Sequence, residues 1–372
     1  MRTYIHELPG WPSTTWDVAR MTAPLSAARH AQGRLIGKLE ALGFRVQEEA
    51  VLRTITEDVV KSSEIEGETL DTDQVRSSVA RRLGIDIGGL SPADRDVEGV
   101  VEMMLDATQR YDQPLTVERL FGWHAALFPT GRSGMHPITV GAWRTDRSAP
   151  MQVVSGPVGR ERVHFEAPAA ARLDAEMHRF LEWFNTDDRT EPVLKAAHAH
   201  LWFVTVHPFD DGNGRIARAI ADMSLARSEG SSQRFYSLSA QIRRERRDYY
   251  AMLERTQTGT LDITLWMEWF LGCLDRAIEA AQSTLTDVMS RARAWETLRD
   301  QSLNERQRLV IGKLLEGFEG HLTTSRWAAL TKCSTDTALR DIQQLVETGV
   351  LARNPGGGRS TSYSLRPGLG SP

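Results

Sequence analysis

The spacing of apolar residues predicts helices along most of the first 300 residues. Apolar side chains recur three and four positions apart, which places them on one face of an α-helix. Val97, Val100 and Val101, for example, belong to one such apolar stripe. Predicted helices occupy Ser26–Leu42, Leu52–Gly67, Asp96–Tyr111 and Ala169–Phe184, one is capped by Thr116, and others start at Pro192, near Asn213, and after Arg243 and Ile263.

A different pattern occupies the segment between Ser133 and Pro168, where the helical spacing is lost. Met151–Ser155 and Val163–Phe165 are short runs that contain β-branched and aromatic residues. Gly156-Pro157-Val158-Gly159 separates these runs and suits a turn. We predict a β-hairpin here, as the only strand pair in the first 300 residues.

The pattern changes again near Ser302. Three short helices are predicted over Asn304–Gly317, Thr324–Thr331 and Thr335–Glu347. Two strands follow, over residues 349–353 and 361–365, and the Gly-rich turn between them is Asn354–Arg359. Three helices followed by a two-stranded wing are typical of a winged helix, which is related to the helix-turn-helix.

Composition narrows the class of protein. The 372 residues are 41% hydrophobic and 25% charged, as in soluble globular proteins of two or three domains. Cys273 and Cys333 are the two cysteines and form no CxxC pair, which excludes a disulfide scaffold or zinc ribbon and suits a reducing compartment. No apolar run approaches the roughly 20 residues of a membrane helix, and the first residues lack a signal-peptide pattern. We expect a cytoplasmic protein with no membrane partner.

Charge is distributed unevenly along the chain. The net charge of -4 argues against a generic nucleic-acid coat, although the segment from Gln301 onward holds nine Lys and Arg against six Asp and Glu. On the third predicted helix of that segment, Arg340 is accompanied by Asp336, Asp341 and Glu347. A DNA-reading surface usually has a denser basic face. Specific DNA binding is therefore less favoured for the winged helix than packing, dimerisation or target docking.

Residues His207–Arg218 have the sequence HPFDDGNGRIAR, in which one predicted helix ends and the next begins. The residue before a proline avoids helical dihedrals, so the first helix ends at Pro208. Gly212, Asn213 and Gly214 open the next helix, where backbone N–H groups lack intrahelical partners. Two glycines permit the dihedrals of a concave nest of N–H groups, and such a nest at a helix N-terminus binds phosphate.

Four side chains of chemical interest lie beside this nest. Arg215 and Arg218 are three positions apart on the helix and can face the same anion. Asp211 precedes the nest, and a carboxylate beside a phosphate site is usually a Mg²⁺ ligand. His207, with an ordinary pKa of about 6.5, can be a neutral base at pH 7. A turn without a ligand and a core histidine are the alternatives, but the combination within one short segment favours a catalytic site.

The segment fits the Fic signature H-P-F-x-[D/E]-G-N-[G/K]-R-x-x-R at every fixed position, and the chain resembles the Fic family. Further residues that support the resemblance are Ala197, His200, Trp143, Arg144, Tyr249 and Tyr250. The resemblance implies a mainly α Fic fold with a β-hairpin flap, an N-terminal helical region and a small α+β winged-helix domain. The implied segments are an N-terminal helical region at 1–92, a Fic core at 93–282, a connecting helix at 283–302 and the winged helix at 303–372.

The resemblance also implies a reaction, in which AMP passes from ATP to a Tyr, Thr or Ser hydroxyl of a protein target and pyrophosphate leaves. His207 would take the proton of that hydroxyl, and Asp211 would hold Mg²⁺ between the α- and β-phosphates. Arg215 would contact the β-phosphate and Arg218 the γ-phosphate. The residues that would cradle the phosphates are Gly212, Asn213 and Gly214.

Target and base recognition are also implied by the resemblance. The hairpin would be a flap along which the target aligns as an added strand, with Val153 and Val154 as docking residues. The positions at which the family holds adenine are Tyr249, Tyr250 and Gln257. Ordinary helix packing is an equally open interpretation of the two tyrosines. Transfer of another nucleotide or of phosphocholine stays open, because the sequence does not define the base pocket.

A second motif precedes the Fic core. Ser62, Glu66 and Gly67 fit the family's inhibitory pattern [S/T]-x-x-x-E-[G/N]. A carboxylate at the end of a partly buried helix needs a partner, and an arginine would serve. The resemblance supplies Arg218, so that Glu66 would occupy the space required by the γ-phosphate. A solvated glutamate is the alternative. Because the motif is part of the same chain, no separate inhibitory protein is required.

Three functions other than an autoinhibited adenylyltransferase can be compared with the sequence. The same site could hydrolyse AMP from a modified target. The chain could instead be a DNA-binding regulator whose Fic domain senses a nucleotide. Phosphorylation of the Doc type is disfavoured, because Gly214 stands where that branch has lysine. Self-modification and a homodimer stay open.

Overall fold

A computed structural model describes residues 3–40, 43–87, 91–146, 150–156, 160–299, 301–315, 320–355 and 361–367, together with residues 318 and 369. The chain divides into two compact units, Met1–Ala281 and Gln282–Pro372. The helices of the first unit are α1 (Val18–Glu40), α2 (Phe44–Ile65), α3 (Thr72–Leu83), α4 (Arg95–Gln109), α5 (Val117–Leu127), α6 (Leu173–Thr186), α7 (Pro192–Val206), α8 (Asn213–Glu229), α9 (Leu238–Arg244) and α10 (Arg246–Gln257). The long helix α11 (Thr264–Thr297) crosses from one unit into the other.

Helices α7 and α8 form the centre of the first unit. Their side chains are buried on almost every face, as expected for helices surrounded by other helices. Helix α8 also packs against α4, and α2 packs against α9 and α8. Residues 207–212 join α7 to α8, so the HPFDDGNGRIAR segment begins in the loop between the two central helices.

The start of α1 differs from the sequence prediction. The apolar pattern begins this helix at Ser26, whereas the structure begins it at Val18. Asp17 Oδ1 accepts hydrogen bonds from the backbone N–H groups of Ala19 and Arg20, and so caps the helix. The helix continues through Pro24, which removes one backbone donor without ending it.

Among the described residues of the first unit, there are two antiparallel strand pairs. β1 (Arg132–Ser133) pairs with β2 (His136–Pro137), and β3 (Gln152–Ser155) pairs with β4 (Arg162–Glu166). The prediction of a single strand pair was therefore wrong, because pairing over two residues leaves too short a pattern to detect. The second pair is the predicted hairpin, and its register shifts between Val153 and Val154. Residues 157–159 of its predicted turn lie outside the described residues.

The second unit contains α12 (Glu305–Leu315), α13 (Thr324–Thr331), α14 (Thr335–Glu347) and the antiparallel strands β5 (Leu351–Arg353) and β6 (Tyr363–Leu365). Its core is built around Trp327, Ile342 and Leu345. The predicted three helices and two strands of a winged helix are all present. Gly317 of the first predicted helix and residues 356–359 of the predicted Gly-rich turn lie outside the described residues.

The mainly helical fold with small antiparallel strand pairs is confirmed. Residues 283–297 of the predicted connecting helix form the last part of α11, and the division into four segments remains a prediction. Across the residues that the structure places, no helix combines the length and apolar character that crossing a bilayer requires.

Candidate active site

His207 occupies an unusual position at the end of α7. Its backbone is left-handed, with φ 51° and ψ 58°, a conformation that non-glycine residues seldom adopt. The imidazole Nδ1 lies 3.2 Å from the carbonyl oxygen of Val204. A carbonyl can only accept a hydrogen bond, so Nδ1 carries the proton and Nε2 keeps a lone pair. The ring is therefore held in the tautomer that a general base requires.

Arg144 holds the backbone around His207. Its Nε donates to the carbonyl of His207 at 2.8 Å, and its backbone N–H donates to the carbonyl of Pro208 at 2.9 Å. Its Nη2 donates to the carbonyl of Pro168 at 2.5 Å, and its charge is paired with Asp146 at 2.9 Å. The guanidinium is buried, so these bonds have little competition from water. They stabilise a strained backbone that positions the histidine.

The pKa of His207 is shifted far from its ordinary value. Burial, which has the largest effect, and the Arg144 charge lower this pKa, whereas the hydrogen bond to Val204 and the charges of Glu66 and Asp211 raise it, and the net result is a pKa of about 4. The imidazole is therefore neutral at pH 7. A neutral imidazole with a free Nε2 can accept a proton.

The side chain of His124 packs against the turn after His207 and holds it in place. The rings of His124 and Phe209 stack at 4.2 Å with an interplanar angle of 7°. The N–H of Gly141 donates to His124 Nδ1 at 3.3 Å, so the other ring nitrogen, Nε2, carries the proton and donates to the Asp211 carbonyl at 3.2 Å. Sequence analysis missed His124, because the contact joins residues 87 positions apart.

Asn213 closes the same turn. Its side-chain oxygen accepts from the N–H of Phe209 at 3.0 Å, and its side-chain nitrogen donates to the carbonyl of Phe209 at 2.9 Å. The side chain is only 2% exposed. It therefore braces the loop, and its backbone N–H alone is left to contribute to the predicted phosphate cradle.

The two glycines of the motif have different roles. Gly212 is left-handed, with φ 80° and ψ 0°, as the turn into α8 requires. Gly214 is an ordinary helical residue, but a Cβ there would lie 2.1 Å from Glu66 Oε1. The expectation that both glycines supply unusual dihedrals was therefore wrong for Gly214, whose lack of a side chain instead permits a close approach.

Glu66 contacts Arg218 where α2 ends. Glu66 Oε1 lies 2.7 Å from Arg218 Nη2, and the guanidinium is buried. Arg218 also donates from Nε to the Ser62 hydroxyl and from Nη2 to the Ser62 carbonyl, both at 2.9 Å. Gly67 then reverses the chain with φ 90°. Ser62 and Glu66 of the predicted inhibitory motif thus both contact the second motif arginine, and Gly67 follows them directly in the chain.

A second carboxylate contacts the other arginine. Glu68 Oε2 lies 2.5 Å from Arg215 Nη1, and the guanidinium carbon of Arg215 lies 5.1 Å from the ring centroid of Phe128. Burial raises the pKa of Glu68, with the Arg215 charge acting in the opposite direction. Sequence analysis missed Glu68. The sequence signal that could have revealed it is the spacing Glu66-Gly67-Glu68. This spacing allows two carboxylates to contact two arginines on one face of α8.

Asp211 has two hydrogen-bond donors in the loop. Its Oδ1 accepts from the N–H of Gly212 at 2.6 Å, and its Oδ2 accepts from the Ser133 hydroxyl. Asp210 Oδ2 accepts from the N–H of Thr139 at 2.8 Å. Within the described part of the chain, no three His, Cys, Asp or Glu side chains cluster as a metal site.

A cavity of about 530 Å³ connects these residues. Its lining includes Glu66, His207, Asp211, Gly214, Asn213, Val153, Val154, Tyr249, Tyr250 and Gln257. Tyr249 is 1% exposed, and its hydroxyl lies 2.9 Å from His200 Nε2, so its ring belongs mainly to the core. The Tyr250 hydroxyl lies 3.4 Å from Glu66 Oε2, and Gln257 Nε2 lies 3.3 Å from the Thr205 hydroxyl. The structure thus brings His207, Asp211, the flap valines and the predicted base-binding residues to one cavity, whereas Gly212, Arg215 and Arg218 are not among its lining residues.

Comparisons with known families agree with this architecture. A family described as Fic/DOC matches residues 114–225, and a DeoR-like helix-turn-helix domain matches residues 303–363. A domain of unknown function, DUF4172, matches residues 4–85.

Among curated proteins, one relative named protein adenylyltransferase Fic, from Nematostella vectensis, is 24% identical over 64% of this chain and 51% of its own length. Another protein of that name, from Drosophila erecta, is 25% identical over 77% of this chain and 57% of its own length. The chain thus spans between half and three fifths of these relatives.

Among solved structures, a Fic family protein from Desulfovibrio desulfuricans aligns with a TM-score of 0.54 and 22% identity, covering 96% of this chain and 98% of that one. A Fic-domain signalling protein from Bacteroides thetaiotaomicron aligns with a TM-score of 0.52 and 22% identity, covering 70% and 97%. These similarities establish the fold. The chain therefore contains a Fic domain at residues 114–225 and a DeoR-like helix-turn-helix domain at residues 303–363.

Proposed function

We propose that this chain transfers AMP from ATP to a hydroxyl side chain of a protein, and that its own Glu66 and Glu68 hold the site in an inhibited state. The observation that carries the proposal is the contact between the Arg218 guanidinium and the carboxylate of Glu66, which lines the same cavity as the neutral His207. An anion already occupies the place that the arginines offer to phosphate. The names of the curated relatives support the same reaction.

The chemistry of transfer follows from the side chains. Nε2 of His207 accepts the proton of the target hydroxyl as that oxygen attacks the α-phosphorus. The new O–P bond forms while the bond to the β-phosphate oxygen breaks, and pyrophosphate leaves. Arg215 and Arg218 neutralise charge on the departing phosphates. Positioning and charge neutralisation therefore account for most of the catalysis.

The residues present fit a magnesium ion that binds together with the nucleotide. Mg²⁺ is usually held by one or two carboxylates and by substrate phosphates, so a complete protein cage is not expected. Asp211 supplies such a carboxylate at the cavity wall, and the Ser133 hydroxyl orients it. Bound there, the ion would neutralise charge on the α- and β-phosphates.

Autoinhibition in this proposal uses two contacts. Glu66 on Arg218 and Glu68 on Arg215 place two carboxylates on the two cations that the phosphates need. Both guanidinium groups are buried, and each carboxylate occupies donors that a phosphate would otherwise contact. Productive ATP binding requires both carboxylates to move, and an unproductive pose remains accessible while they stay.

The test uses the purified full chain with Mg²⁺, ATP labelled at the α-phosphate, and a soluble protein extract. Glu66→Gly should label extract proteins at least tenfold more strongly than wild type, and adding His207→Ala should abolish this labelling. Glu64→Gly is the matched control, because Glu64 lies in the same segment and pairs with Lys61 instead. If Glu66→Gly labels no extract protein, AMP transfer to proteins is contradicted. Loss of label from premodified proteins would instead favour AMP removal.

The DeoR-like match favours a second candidate, DNA binding by the second unit. Arg340 is exposed on α14, but so are Asp336, Leu339 and Val346 on the same helix, and Arg306 is paired with Asp341. Binding of duplex DNA that weakens steeply with salt would support it. No binding at low salt would exclude it.

A further inference from the structure

Three side chains outside the Fic motif form a hydrogen-bonded row along the cavity. The Ser155 hydroxyl oxygen on β3 lies 2.6 Å from His164 Nε2 on β4. His164 Nδ1 lies 2.7 Å from Glu254 Oε2 on α10. Arg162 Nη2 also contacts Glu254, through Oε1 at 2.7 Å. A hydroxyl, an imidazole and a carboxylate in this order are the arrangement of an activated nucleophile.

The charge state of the Glu254 carboxylate determines which ring nitrogen of His164 carries the proton. Burial raises the pKa of Glu254, but hydrogen bonds from His164 and Arg162 outweigh it, and the net shift is downward. Glu254 is therefore ionised at neutral pH and can only accept. His164 Nδ1 then carries the proton, and Nε2 accepts the hydrogen bond from the Ser155 hydroxyl. The imidazole is oriented to take the hydroxyl proton.

The row shares its cavity with the proposed transfer site. Ser155, His164 and Glu254 line the same cavity of about 530 Å³ as His207 and Asp211. That volume lies within the range of small-molecule sites, roughly 300–1,000 Å³. A nucleotide held by the motif would therefore share one cavity with this hydroxyl.

Three hydroxyl side chains line this cavity among the described residues: Ser155, Tyr249 and Tyr250. Tyr249 is buried, and burial raises its pKa far above the ordinary value. Burial also raises the pKa of Tyr250, whose hydroxyl lies near Glu66. Ser155 is exposed at the end of a two-stranded hairpin and has an oriented base. It is the best placed of the three to react.

We infer that Ser155 is the hydroxyl that receives AMP when this chain modifies itself. The inference rests on the proposed AMP transfer. The Ser155 oxygen attacks the α-phosphorus of ATP and passes its proton to His164 Nε2. A phosphodiester forms at Ser155, the bond between the α-phosphorus and the β-phosphate oxygen breaks, and pyrophosphate leaves. The proton acceptor differs from that of target modification, which uses His207.

The experiment maps AMP on peptides of the full-length Glu66→Gly variant after incubation with Mg²⁺ and ATP. AMP should lie on the peptide that contains Ser155, and adding Ser155→Ala should remove that mass. Ser13→Ala, which changes another exposed serine, should leave it unchanged. His164→Gln should slow the modification of Ser155 at least tenfold.

Each outcome is decisive. AMP on other residues with none on Ser155 overturns the inference, as does unchanged Ser155 modification in His164→Gln. Labelling of extract proteins in the same reactions shows separately whether AMP transfer occurs. Labelled extract proteins with unmodified Ser155 would reject the self-modification site and keep the proposed function. No AMP on extract proteins or on the chain would reject both. Unfolding temperatures of the variants separate a chemical effect from a failure to fold.

Discussion

Glu68 forms an ion pair with Arg215, as Glu66 does with Arg218, and the two arginines lie three residues apart on α8. Gly67 lies between the two carboxylates and reverses the chain with φ 90°, so that both can reach the helix. Each carboxylate thus supplies a negatively charged partner to an arginine, as a phosphate would. In the proposed function, inhibition therefore depends on both ion pairs. The family's inhibitory pattern includes Glu66 but not Glu68.

We predict that Glu68→Gln raises labelling of extract proteins severalfold over wild type, and that combining it with Glu66→Gly increases labelling further at subsaturating ATP. The reason is that Arg215 would be released for the β-phosphate. The ATP concentration at half-maximal labelling should fall, which a titration would measure. Glu64→Gln serves as the control. Unchanged labelling and unchanged ATP dependence would show that the Glu68 contact has no inhibitory role.

The acid limb of the pH profile should report His207. Burial lowers the pKa of this imidazole to about 4, so the neutral form dominates at every pH above that value. Titration of His207 should change the kcat/KM for AMP transfer by Glu66→Gly little between pH 7 and pH 5. The kcat/KM should fall to half its plateau value near pH 4. The measurement is the initial rate at low ATP across this range. A midpoint near the ordinary histidine value would contradict the assignment.

Asn213→Ala should impair both stability and transfer. The substitution leaves the buried N–H and C=O of Phe209 without partners, which should cost about 1–3 kcal/mol of unfolding free energy. Because the turn also carries Asp211, transfer should fall at least tenfold. Asn185→Ala is the matched control, since Asn185 brackets Leu115 in the same way on a different loop. Denaturant unfolding and labelling rates separate the two effects, and normal transfer by Asn213→Ala would contradict the bracing role.

Two glycines provide a stability test of helix packing. A Cβ at Gly99 on α4 would lie 1.7 Å from the Ala126 carbonyl oxygen, whereas a Cβ at Gly122 on α5 would meet nothing within 4 Å. Gly99→Ala should therefore destabilise the chain by more than about 2 kcal/mol. Gly122→Ala should stabilise it by roughly 0.5–1 kcal/mol, because alanine favours the helix. Thermal or denaturant unfolding would measure both, and similar midpoints for the two variants would disprove the close α4–α5 contact.

Local patterns were sufficient for much of the fold. Pro192, Thr116 and the apolar stripe of Asp96–Tyr111 act within one or two helical turns, so their effects can be recognised along the chain. Capping by Asp17 and the two-residue pairing of β1 with β2 escaped detection. Asp17 caps a helix whose first turns contain a proline, so the apolar pattern does not show where the helix begins. The β1–β2 pairing covers two residues on each strand, which is too short to show the alternation typical of strands.

The sequence by itself determined that the chain is mainly helical and that a glycine-containing loop joins two helices, and the family resemblance predicted that Glu66 faces Arg218. Each of these depends on neighbours in the chain or on a contiguous motif. Only the tertiary structure decided that Glu68 covers Arg215, that Asn213 braces Phe209, that Tyr249 is largely buried, and that Ser155, His164 and Glu254 form one row. Most of these contacts join distant segments, and hydrogen bonds and ion pairs depend on distances and angles that only the packing of the helices and the hairpin defines.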